Sequence, residues 1–256
     1  MRINANYHTH TKRCRHAAGS DRDYIEAAIR AGIKTLGFSD HVPLPYRDGY
    51  QSRVRMDMSE LDGYFASLQE LKEEYEDIIE LHIGFEAEYF PKMFPELRSI
   101  LEDYPCEYLL LGQHEIYDEE GETFIGAAFD DRKTLERHTD MTVEGIETGA
   151  FLYVAHPDIA HFTGDEGFYM QQARRICRAA KAADMPLEVN MLGMRDLRWY
   201  PRGAFFEVAA EEGNKLILGV DAHSPENFTG DEAIEAESDC HEFAESFGLE
   251  IVEKIL

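Results

Sequence analysis

The chain has 256 residues, with 51 Asp and Glu against 25 Lys and Arg, giving a formal charge of −26. An apolar share of 44% with 11% aromatic residues is enough to build a full core, so the charge does not mark disorder. The sign of the charge argues against nucleic acid and anionic membranes, whose partners carry a Lys/Arg excess, and no apolar run approaches the ~20 residues of a spanning helix.

From the N-terminus, short apolar or β-branched runs alternate with longer stretches of helical period. Strands are expected over 3–8, 35–39, 82–87, 108–112, 151–155, 187–190 and 216–220, and helices over 21–31, 59–76, 91–102, 132–148, 167–183, 203–212 and 225–247. Ser20 and Ser59 supply start signals, and Gly32 and Gly213 supply stops. This alternation predicts an α/β fold, and its size fits a TIM-like barrel with one unit missing better than an open doubly wound sheet. No linker interrupts the series, so 1–256 is expected to be a single domain. No Gly-x-Gly-x-x-Gly or GxxxxGK[ST] motif supports nucleotide binding. The first six residues lack a signal-peptide apolar stretch, and Cys14, Cys106, Cys177 and Cys240 form no CxxC pair, so a cytoplasmic location is expected.

Seven of the eleven histidines fall at or just beyond the C-terminal end of an expected strand. They are His8, His10, His16, His41, His114, His156 and His223, with Glu86 and Asp221 at equivalent ends. In a parallel barrel these ends share one face, the face that carries active sites. His8/His10, Glu86/Glu88 and Asp221/His223 are i, i+2 pairs, which extended backbone projects to the same side. So many imidazole and carboxylate donors exceed one ion's needs and predict two to three divalent ions, Zn, Fe or Mn. His82, His138 and His241 are assigned to surface or core roles, His161 is a weaker candidate than the seven, and Cys14 is treated as a bystander.

The ordered series Tyr7-His8-Thr9-His10-Thr11, His16, Gly37-Phe38-Ser39-Asp40-His41, Gly84-Phe85-Glu86-Ala87-Glu88-Tyr89, Gly112-Gln113-His114, Ala155-His156-Pro157-Asp158 and Gly219-Val220-Asp221-Ala222-His223 resembles the PHP (polymerase and histidinol phosphatase) family across nearly the whole chain. Glu188-Val189-Asn190 leading to Gly193-Met194-Arg195 is similar to its monofunctional histidinol-phosphate phosphatases. The resemblance implies a distorted (β/α)7 barrel with a trinuclear centre. It implies one ion at His8, His10, Glu86 and Asp221, a second at His114 and His156 with Glu86 bridging, and a third at His16, His41 and His223. It also points to Arg195 as a phosphate ligand, whereas the family's basic residue after the His-Pro-Asp stretch is lacking here, with His161 a weak substitute.

The expected activity is hydrolysis of a small phosphorylated metabolite, first L-histidinol phosphate, by a metal-bridging hydroxide. Arg195 would cradle the phosphoryl group, with Arg198 and Arg202 read as solvated loop charges. Asp40 would orient an imidazole or shuttle a proton. Glu115 and Asp158 would form an acidic rim suited to a cationic amine. The alternatives are another small phosphate ester, a nucleotide or sugar phosphate, and a nuclease or polymerase-associated module, which the charge disfavours.

Overall fold

A computed structural model describes residues 3–47, 49–117 and 124–256. The strands are short, and all pair in parallel. β1 (Ala5–Asn6), β2 (Thr35–Phe38), β3 (Glu80–Ala87) and β4 (Tyr108–Leu111) form one sheet in that order, and β5 (Leu187–Asn190) pairs with β6 (Leu216–Gly219). Every residue of β2, β4, β5 and β6 is buried, as expected of strands covered on both faces.

Single bridges join the two sheets. Val154 pairs with both Leu111 and Leu187, and segment 151–155 lies where the fifth strand is expected, hydrogen-bonded to β4 (Leu152 N–H to the Leu109 carbonyl, 2.7 Å; Ala155 N–H to the Leu111 carbonyl, 3.0 Å) and to β5 (Glu188 N–H to the Val154 carbonyl, 3.0 Å). On the other side Thr9 bridges Ala222, with the His10 N–H donating to the Ala222 carbonyl at 2.9 Å. The result is a curled parallel sheet whose strand ends converge.

The α-helices of the described residues are α1 (Asp21–Ala31), α2 (Leu61–Glu74), α3 (Phe94–Leu101), α4 (Arg132–Glu147), α5 (Glu166–Ala182), α6 (Met191–Arg195), α7 (Gly203–Glu212) and α8 (Asp231–Ser246). α1 starts with a capping box between Ser20 and Asp23 and stops at Gly32, whose φ of 87° is left-handed. α2 is preceded by a 3-10 turn over Met58–Glu60, whose capping box is made by Asp57 and Glu60 rather than by Ser59. The expected helix over 225–247 is divided, because Gly230 adopts a φ of 97° between a 3-10 turn, Pro225–Phe228, and α8. α6 was not anticipated; Asn190 caps it through its side chain, accepting from the Gly193 N–H. No helix among the described residues is long and apolar enough to cross a membrane.

Candidate metal centre and active site

The nine donor residues named from strand ends come together at one end of the sheet. Eight of them line a cavity of about 650 Å³: His10, His16, His41, Glu86, His114, His156, Asp221 and His223. His8 lies beneath them, fully buried. Glu86 is the hub. Its Oε1 is 2.7 Å from His156 Nε2 and 3.6 Å from His114 Nε2. Its Oε2 is 3.1 Å from His41 Nδ1, 3.5 Å from His10 Nε2 and 3.6 Å from His8 Nε2. Asp221 Oδ1 is a second focus, 3.2 Å from His10 Nε2, 3.5 Å from His8 Nε2 and 3.4 Å from His223 Nδ1. His16, His41 and His223 group at the cavity's outer side, their donor atoms all within 4.8 Å of one another.

The residues fit divalent cations. His8 Nε2, Glu86 Oε2 and Asp221 Oδ1 are buried and, among the described residues, have no hydrogen-bond partner. Leaving such groups unsatisfied is costly, and their spacing of 3.5–3.6 Å about His8 Nε2 matches that of ligand atoms around one ion, about 3.3–3.6 Å for tetrahedral bonds of 2.0–2.2 Å. Three rings are fixed from behind. His8 Nδ1 lies 2.8 Å from Glu188 Oε1, His16 Nδ1 2.7 Å from the Cys14 carbonyl, and His223 Nδ1 3.1 Å from the Asp221 carbonyl. A ring that donates through Nδ1 presents Nε2 as an acceptor, the arrangement a ligand needs.

Burial opposes ionisation of Glu86, yet His114, His41 and His8 outweigh it and hold its carboxyl well below the usual range. Asp221 behaves likewise: burial is overcome by His8, His10 and His223. Burial drives the His114 and His223 imidazoles down to about 3, so both readily give up a proton in favour of a cation. The backbone at His156 (φ 28°) and Asp221 (φ 51°) is left-handed, so the chain turns sharply where these side chains must face the cavity.

Arg195 ends α6 on the cavity wall. Its Nε donates to Asp196 Oδ1 at 2.9 Å. Arg198 is an exposed loop charge as read, but it also lines the cavity, bonded to Asp196 Oδ2 and the Tyr200 hydroxyl at 3.1 Å each. Arg202 instead packs over Tyr169 at 3.7 Å and donates to the Phe162 carbonyl. Asp40 is fully buried and off the cavity wall; it accepts from the Thr11 hydroxyl and from the His41 N–H and stands 3.7 Å from His10 Nδ1. Glu115 lines the cavity, but Asp158 does not belong to a rim. It is buried, accepts from the Arg202 N–H, and burial pushes its carboxyl up to about 7.

Sequence reasoning missed several residues of the site. Arg55 is buried on the cavity wall and donates to Glu88 Oε1 at 2.7 Å, while Glu88 Oε2 accepts from the His114 and Glu115 N–H groups. Cys14 is closer than a bystander, its thiol grouped with His10 and His223 donors within 4.8 Å. His138 keeps its core role: it is buried off the cavity wall, its Nε2 3.1 Å from the Gln113 carbonyl beside His114. His161 stacks on Trp199, centroids 4.4 Å apart at 3°, away from the cavity wall, and Trp199 Nε1 donates to the Ile159 carbonyl at 2.7 Å.

The family model of the PHP domain matches residues 6–191, which hold six of the strand-end histidines and Glu86. The chain belongs to the PHP domain family. Among the curated PHP relatives it is 28% identical over 225 residues to a probable histidinol-phosphatase of Deinococcus radiodurans, covering 85% of both chains. It is 25% identical over 251 residues to a probable histidinol-phosphatase of Schizosaccharomyces pombe, covering 85% of this chain and 80% of that one. In fold it is similar to the crystal structure of histidinol phosphate phosphatase from Lactococcus lactis subsp. lactis complexed with Zn, L-histidinol and phosphate. That match has a TM-score of 0.72 and 17% identity, and covers 98% of this chain and 95% of the other.

Proposed function

We propose that this PHP protein is a metal-dependent phosphomonoesterase that hydrolyses L-histidinol phosphate to L-histidinol and phosphate. The observation that carries the reading is the convergence of His10, His16, His41, Glu86, His114, His156, Asp221 and His223 on the wall of one cavity, with His8 buried beneath them and Arg195 on the same wall. Names of relatives from a bacterium and a yeast point the same way. With segment 151–155 counted as a strand, the sheet reads as a distorted (β/α)7 barrel forming a single domain.

Two to three divalent ions would be held by the His10/Asp221/His8, Glu86/His114/His156 and His16/His41/His223 groups, supplying Lewis acidity and activation of water when bound. The chain's own residues do the rest. Arg195, braced by Asp196, presents a planar fork to the nonbridging phosphoryl oxygens, where charge spreads as the ester bond breaks. Arg198, braced by the same carboxylate, adds positive charge on that wall. Asp40, shut off from the cavity, holds the Thr11 hydroxyl and the His41 backbone N–H and so positions the turn that carries His41, rather than carrying a proton to the leaving group. Glu115 gives the wall a carboxylate for the amine of histidinol.

A phosphate-release assay over a panel of phosphomonoesters, with zinc or manganese added, tests the reading. A kcat/KM for histidinol phosphate above that for nucleotide and sugar phosphates is expected. A preference for one of the latter replaces the substrate, and no release from any member overturns the activity.

A further inference from the structure

Glu188 lies on β5 behind the site, wholly buried and off the cavity wall. A carboxylate so placed must be stabilised by donors, and four surround it. Oε1 is 2.8 Å from His8 Nδ1 and accepts from the Tyr153 hydroxyl at 3.1 Å. Oε2 accepts from the His156 backbone N–H at 2.8 Å and from Asn190 Nδ2 at 2.9 Å. Asn190 Nδ2 also reaches Asp221 Oδ2 at 3.1 Å. One carboxylate thereby ties three candidate ligands, which are supplied by segments far apart in the chain.

We propose that Glu188 is a positioning residue that holds His8 in the Nδ1–H form, with Nε2 turned to the centre, and clamps the left-handed backbone at His156. The inference rests on the reading of the cavity as a metal centre. A carboxylate behind a ligating imidazole fixes the ring's tautomer and orientation and raises its basicity. The backbone contact adds a second effect. At His156 the chain bends through a φ of 28°, and the N–H bond to Glu188 holds that turn while the side chain reaches Glu86.

The neighbouring strand is shaped around this carboxylate. A Cβ at Gly219 on β6 would fall 1.7 Å from Glu188 Oε1, so only glycine leaves room for the contact with His8. Gly219 makes possible a second disturbance of the same contact that changes no polar group.

The test is zinc titration of metal-stripped wild type, Glu188→Gln and Gly219→Ala by calorimetry, with thermal melting of each. The glutamine is nearly isosteric, but its amide cannot offer two acceptor oxygens to opposed sets of donors. Zinc affinity of both variants is expected to fall by about 10- to 100-fold. In zinc-loaded wild type the His8 Nδ1 proton should resonate far downfield in the imidazole region, and in Glu188→Gln it should move upfield. Wild-type affinity in a folded Glu188→Gln overturns the positioning role alone, as does an Nε2–H form of His8 in the zinc-loaded wild type. Failure of the wild type to take up zinc overturns the metal reading and this inference with it.

Discussion

At the scale of single residues, the two kinds of histidine in this chain separate by what their second ring nitrogen meets. His8 is backed by Glu188 and faces two carboxylates, whereas His241 lies half-buried on α8, remote from them. His8→Ala or Asp221→Asn should lower kcat/KM at least about 100-fold and reduce bound metal, while His241→Ala stays within twofold of wild type. Elemental analysis with steady-state kinetics on these variants checks it; equal sensitivity of all three would refute the sorting. His138 is unsuitable as the neutral control, because its buried contact with the Gln113 carbonyl gives it a structural role. For Arg195→Lys the charge remains but the paired hydrogen bonds are lost, so kcat/KM should fall by about 2–4 kcal/mol of transition-state stabilisation with metal content unchanged. Arg47→Lys, at an exposed pair with Glu96, is the control.

At the scale of elements, β3 and β4 illustrate how strand packing makes room for a charged group. A Cβ at Gly112, just past β4, would lie 1.9 Å from Glu86 Oε1 on β3. Gly112→Ala should cost about 1–3 kcal/mol by overpacking and also displace the hub carboxylate, so melting temperature and bound metal drop together. Gly63→Ala within α2 meets nothing within 4 Å, so it should stabilise by about 0.4–1 kcal/mol. The strand-end donors were legible because i, i+2 alternation and the end of a hydrophobic run are local signals, as at His8/His10 and Asp221/His223. Glu188 behind His8 is 180 residues away in sequence, and Arg55 is 33 residues from Glu88, so no local pattern announces either pairing. Segment 151–155 reads as a strand by composition and does hydrogen-bond to both neighbours, but its place as the seam between two sheets is a product of curling that periodicity does not encode. Likewise α6 is a single capped turn, too short to produce a helical period.

Across the whole molecule, acidic side chains outnumber basic ones two to one, and Glu107 shows one of them tied in at a joint between layers. Glu107, at the entrance to β4, accepts from Lys72 of α2 at 2.7 Å and from the Ile83 N–H of β3 at 2.9 Å, and lies 2.9 Å from His82 Nδ1. Burial raises its carboxyl, but His82, Lys72 and the Ile83 N–H outweigh that and bring it down to about 2. A carboxyl lowered on folding stabilises the native state fully above its ordinary value near 4.5 and loses that contribution as pH falls through about 2. Glu107→Gln should thus be less stable than wild type by about 1 kcal/mol at pH 7, after allowance for screening at a partly exposed site, and the gap should close between pH 4.5 and 2. Urea unfolding of both proteins across that range measures the gap; a constant difference would assign the effect to packing.

Trp199 is the chain's single tryptophan, and it stands between the His161 ring and the edge of Tyr200, which lines the cavity. Its indole is pinned to the Ile159 carbonyl, on another cavity-lining residue. Alongside its 13 tyrosines the protein therefore carries one indole, selectively excited at wavelengths beyond the tyrosine absorption, touching two residues of the cavity wall. Its emission comes from one environment, so the occupancy of the cavity by phosphate or an alcohol product can be followed optically in unlabelled protein, without turnover.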